Sequence, residues 1–111
     1  MEVEDAAAGW VAIPGPLPEP GHTLAFEASG LKLLLCNAGG DYFAIENRCP
    51  HAMVGLDDGA LRGAVLECAV HGGQIDVRDG RPLRLPIRRP VRTYALRSGS
   101  DGLEVGLPGL R

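Results

Sequence analysis

Glycine and proline punctuate this chain so closely that no helix of ordinary length fits between them. Sixteen glycines and nine prolines are spread over 111 residues without a period, and no stretch longer than ten residues keeps a helical repeat free of both. The segments between breakers are short and strand-forming: 10–13, 23–27, 31–36, 41–47, 65–68, 75–78, 91–97 and 103–107. Turn signals close them, among them Ser29-Gly30, Gly39-Gly40, Asp79-Gly80 and the run from Ser98 to Gly102. The expected fold is all-β, a small antiparallel β sandwich or barrel, with the segments 23–27, 31–36 and 41–47 forming a meander and the last two a hairpin. Residues 1–111 are read as one domain. The region from about 47 to 86 is glycine-rich with little strand signal, and an irregular stretch of that length in a small domain points to function.

Composition excludes several classes. Leu, Ile, Val and Phe make up 29 of the 111 residues, enough for a core and too many for a disordered chain. The longest apolar run, 6–13, is far short of the roughly 20 residues that a spanning helix needs. It also follows Glu2, Glu4 and Asp5, the wrong sign for a secretory signal. Three cysteines do not build a disulfide framework. The expected compartment is the cytoplasm, with thiols free for metal chemistry.

Two short clusters carry that chemistry. Cys49-Pro50-His51 is followed, sixteen residues later, by Cys68-Ala69-Val70-His71-Gly72-Gly73. Each pairs one thiolate donor with one imidazole donor on a segment short enough to form one loop, and four such donors on two loops make a metal site. Structural zinc sites group like ligands on each loop. Here each loop offers one of each, as required when two cysteines hold one iron, two histidines hold a second, and sulfides bridge them. A non-redox zinc module with the same four ligands is the alternative from a different class.

With Asp79-Gly80 and Pro82 downstream, this pattern resembles the Rieske-type ferredoxins, over nearly the whole chain. The resemblance implies one [2Fe–2S] cluster, with Cys49 and Cys68 on an inner iron and His51 and His71 on an outer iron at the exposed tip. A third loop containing Pro82 and Pro86 would cover it, and Gly72 and Gly73 would let backbone N–H groups approach the sulfides. Ferric irons, sulfides and thiolates then sum to zero in the oxidised cluster, which favours electron uptake relative to an all-cysteine cluster. The Rieske range is roughly −150 to +300 mV. The respiratory members add a disulfide-bonded cysteine pair that this chain lacks, so the low end is expected.

The resemblance further implies a soluble, non-enzymatic electron carrier. It would pass single electrons from an NADH-dependent flavin reductase to a terminal oxygenase acting on aromatic or related hydrocarbons; a Rieske subunit of a nitrite-reductase-like enzyme is the alternative. The oxygenase itself is excluded, because its mononuclear iron needs two further histidines and only His22 remains. No Gly-x-Gly-x-x-Gly element is present for a dinucleotide. Met53, Val54, Leu56, Ala69 and Val70 are candidates for an apolar docking surface, and the carrier is expected to be a monomer.

Charge is uneven. Residues 1–47 carry a net −6 and residues 48–111 a net +3, with Arg78, Arg81, Arg84, Arg88, Arg89, Arg92 and Arg97 concentrated late in the chain. The prolines between them and a single aromatic, Tyr94, argue against nucleic acid. A solvated strand face is the expected role, and a docking site for an acidic partner the alternative. Trp10 and Phe43 are expected in the core, Cys36 as a buried small hydrophobe and His22 in a surface turn.

Overall fold

The structure is a computed structural model that describes residues 9–51, 54–100 and 102–107. Among them are eleven strands and no helix. Strands β2 (Thr23–Ala28), β3 (Leu31–Ala38) and β4 (Asp41–Glu46) form the expected meander, extended at its edge by the two-residue β9 (Thr93–Tyr94). Ser29 and Gly30 both have positive φ (51° and 79°) in the two-residue connection between Ala28 and Leu31. That is the geometry whose twist matches paired strands. Gly39 and Gly40 do the same between β3 and β4.

A second antiparallel sheet has the order β1 (Gly9–Ala12), β11 (Gly102–Leu107), β10 (Leu96–Gly99). A third follows β5 (Ala60–Arg62), β6 (Val65–Glu67), β7 (Gln74–Asp76) and β8 (Pro82–Arg84) in chain order. The stretch 91–97, expected as one strand, is divided: Thr93 and Tyr94 pair with β4, whereas Leu96 onward pairs with β11. The chain changes sheets at Ala95, whose carbonyl accepts the Gly106 N–H at 2.9 Å.

β3 lies between two apolar clusters and contributes to both. Leu33, Leu34, Leu35 and Cys36 are all fully buried. Alternation sends Leu33 and Leu35 into a core with Phe26, Val105 and Leu107, while Leu34 and Cys36 enter one with Leu56, Leu66, Ile75 and Ile87. A strand covered on both faces reads as an unbroken apolar run, as this one does. Asn37, at the end of that run, is buried with both ends of its amide satisfied, by the Pro18 carbonyl at 3.0 Å and the Gly40 N–H at 2.7 Å.

Cys36 is buried as expected, and burial pushes its thiol up to about 12. His22 is exposed beside the turn at Gly21. Trp10 departs from expectation: it is only half-buried on β1, and the Arg97 guanidinium covers its ring at 4.2 Å from the centroid. Phe43 packs, partly buried, against the Leu34 side of the interior.

Asp76 ends β7 as a buried carboxylate. It accepts from Arg78 Nη2 at 2.8 Å and pairs with Arg81 Nη2 at 3.5 Å. The Arg78 hydrogen bond holds its carboxyl down to about 2, against an ordinary 3.8. A depressed folded-state pKa gives stability that is present above the unfolded value and lost as pH falls through the folded one. Asp76 is therefore expected to contribute roughly 1–2 kcal/mol at neutral pH, discounted for its solvent-exposed arginine partners, and to lose it progressively between roughly pH 5 and pH 2. Denaturant unfolding across that window should show the slope, and an Asp76→Asn variant should flatten it.

Candidate metal centre

Two loops of the third sheet's region are built to one pattern. The Cys49 N–H donates to the Val54 carbonyl at 2.7 Å, and the Cys68 N–H donates to the Gly73 carbonyl at 2.7 Å. Each loop is thus closed by its own cysteine across five residues. The first is further tied by Asn47, whose Oδ1 accepts the Leu56 N–H at 2.6 Å and whose Nδ2 donates to Asp57 Oδ1 at 3.1 Å. In the second, the Gly72 N–H returns to the Cys68 carbonyl at 3.2 Å, and Gly72 takes a φ of 75° that side chains disfavour.

These loops bring the four candidate ligands together in two pairs. Cys49 and Cys68 are buried, with relative exposures of 1% and 3%. His51 and His71 are exposed, with ring centroids 5.1 Å apart and planes at 78°. Burial pushes the Cys68 thiol up, the Val70 N–H opposes this, and the adjoining Cys49 thiol raises it further. The thiols are therefore neighbours on the interior side and the imidazoles neighbours on the solvent side. Two donors for each of two irons is the set a mixed-ligand [2Fe–2S] cluster takes, and the donors present fit it.

The covering segment differs in one part from expectation. Pro82 is not in a loop: it opens the edge strand β8, a position where its missing N–H costs little. Pro86 lies beyond β8 and lines, with Pro50, His51, Arg88 and Arg89, a hollow of about 330 Å³. Gly73 owes its identity to this segment. A Cβ there would lie 2.6 Å from Ile87 Cγ1 and 2.9 Å from Cδ1, so only a hydrogen lets the second loop pack against the third.

Of the apolar docking candidates, Val54, Ala69 and Val70 are exposed. Leu56 is corrected: it is fully buried, because Asn47 draws its backbone inward and its side chain joins the interior beside the cysteines. Met53 lies outside the described residues. Asn47 and Ile87 are the supporting residues that sequence reasoning missed. Asn47 carries the one available signal, a polar turn former two residues before the first cysteine. Ile87 carries none, since its partner is defined only by folding. A larger groove of about 790 Å³, lined in part by Lys32, Glu46 and Asp57, contains none of the four candidate ligands.

Buried thiols beside exposed imidazoles on twin loops define a small β protein made for a two-iron cluster. The chain belongs to the Rieske [2Fe–2S] domain family, which matches residues 10–95. It is 38% identical over 90 residues to the ferredoxin component of biphenyl 2,3-dioxygenase from Rhodococcus jostii (strain RHA1), covering 81% of this chain and 84% of that one. Among solved structures it resembles the ferredoxin of carbazole 1,9a-dioxygenase from Nocardioides aromaticivorans IC177. That match has a TM-score of 0.75 and 34% identity, and covers 79% of this chain and 86% of the other. It also resembles a chain in the complex of reduced oxygenase and oxidized ferredoxin in carbazole 1,9a-dioxygenase, with a TM-score of 0.76, 27% identity, and coverage of 84% of this chain and 88% of that one.

Proposed function

We propose that this chain is a one-electron carrier that accepts electrons from an NADH-dependent flavin reductase and delivers them to the terminal oxygenase of an aromatic-ring dioxygenase system. The observation that carries this reading is the ordering of the site, thiols within and imidazoles without. Cys49 and Cys68 would hold the inner iron, and His51 and His71 the outer one. The bound cluster would supply a centre that takes up and releases one electron at a time, with a potential near the low end of the Rieske range. The chain's own part is to keep water from the thiols, through Leu56, Leu66, Ile75 and Ile87, while leaving both imidazole edges open to a partner. Val54, Ala69 and Val70 would add apolar contact in a small, transient interface. Residues 1–111 would act as one domain and as a monomer, with the cluster-binding part at about 47–86. Among the described residues, no helix is long and apolar enough to cross a membrane.

The dioxygenase-ferredoxin relatives support the carrier role and the oxygenase as recipient. Reconstitution with NADH, a flavin reductase and a terminal oxygenase tests it. Hydroxylated product should depend on this chain and saturate with its concentration. A chain that takes an electron from dithionite yet passes none to the oxygenase would contradict the proposal.

A further inference from the structure

We propose that Arg88 and Arg89, grouped with Leu85 and Pro86 at the rim of His51, recognise a partner protein whose own redox site is ringed by Asp and Glu side chains. This deepens the carrier reading and rests on it. The structure separates the late arginines into two groups. Arg78 and Arg81 are engaged with Asp76, and Arg97 with Glu104 at 2.7 Å and with the Trp10 ring. These stabilise the fold. Among the described residues, Arg84, Arg88, Arg89 and Arg92 form no ion pair with a carboxylate.

Arg88 and Arg89 are exposed and share one hollow with His51. Arg89 Nη2 donates to the Pro50 carbonyl at 3.3 Å, which fixes the guanidinium against the loop that carries His51 without neutralising it. A second hollow of about 410 Å³ shares Pro50 and Arg89 with the first and brings in Arg92 and Glu46. The two hollows therefore place Arg88, Arg89 and Arg92, none of them ion-paired to a carboxylate among the described residues, beside one glutamate, although the whole chain carries −3. Leu85, at 63%, is the most exposed large apolar side chain among the described residues, and it immediately precedes Pro86.

An apolar patch beside charged groups is the anatomy of a docking face, and its charge sets the on-rate and the choice of partner. Arginine rather than lysine suits carboxylates, because its planar fork engages both oxygens. The local field, not the net charge, governs approach when the reacting edge lies within about 10 Å of the charges at 0.1 M salt.

The proposal is tested on the cluster-loaded chain with two probes. Hexacyanoferrate(III) takes one electron from the dithionite-reduced protein and becomes hexacyanoferrate(II). Its rate should fall at least about tenfold in Arg88→Glu/Arg89→Glu at low ionic strength, and the difference should shrink below about twofold near 0.5 M salt. Lys32→Glu, an exposed reversal outside both hollows, should change the rate far less. Labelled polyglutamate, which requires no electron transfer, should bind the wild-type chain at low salt and release from the double variant. Iron content and the visible spectrum, measured on each variant, keep failure of the cluster apart from failure of the patch. Unchanged rate and binding in the double variant, an equal effect of Lys32→Glu, or tighter binding of a thymidine oligonucleotide than of polyglutamate would overturn the proposal.

Discussion

Replacing Cys68 with alanine is expected to lower bound iron from two atoms per chain to below about a tenth of that, and to abolish the visible absorption of the cluster. On the proposed assignment, Cys68 supplies an anionic ligand, and its loss would leave one iron with a single protein donor. The control is Cys36→Ala. Cys36 is also fully buried and belongs to the same interior as Cys49 and Cys68. Truncating it should lower stability by about 1 kcal/mol through a small cavity and leave iron content unchanged. Iron and protein quantified on the same samples decide between ligation and mere packing, because a packing role predicts that both variants behave alike.

Gly73→Ala is expected to lower unfolding stability by about 1–3 kcal/mol, and Gly73→Leu to prevent stable cluster retention. The added Cβ meets Ile87 side-chain carbons at 2.6 and 2.9 Å, and the Ile87 backbone nitrogen at 3.2 Å. The third segment must move outward to admit it, and that segment carries Pro86, Arg88 and Arg89 to the site. Ile87→Ala alone should cost about 2–4 kcal/mol, because a buried isoleucine is lost. In the double variant the two losses should not add, since the smaller side chain leaves room for the Cβ. Additive losses in the cycle would show that Gly73 serves the turn rather than the packing of two loops.

The two loops that bring the candidate donors together were legible because their pattern is local: a cysteine and a histidine within four residues mark a candidate donor pair wherever the loop lies. The strands of the meander were legible for a similar reason. Their strand-forming composition and their Ser-Gly and Gly-Gly turns are properties of adjacent residues. What escaped depends on distance. β5 has three residues between two glycines and is a strand only because β6 pairs with it. The division at Ala95 exists because two different sheets claim its neighbours. Leu56 looked like a surface leucine in a polar loop, but the hydrogen bond from its N–H to Asn47 turns it inward. The arginines formed one basic run in the sequence, and only the placement of Asp76 and Glu104 shows which of them are engaged within the fold.

Everything proposed for this chain depends on the four donors holding a two-iron cluster, with the histidines on the outer iron. An electron paramagnetic resonance spectrum of the purified, dithionite-reduced protein, with iron and zinc measured on the same sample, tests it most directly. A rhombic signal whose average g lies below the free-electron value is expected, with two irons per chain and no stoichiometric zinc. A silent sample carrying one zinc per chain would leave the fold intact and contradict the assignment of the site and the carrier function drawn from it.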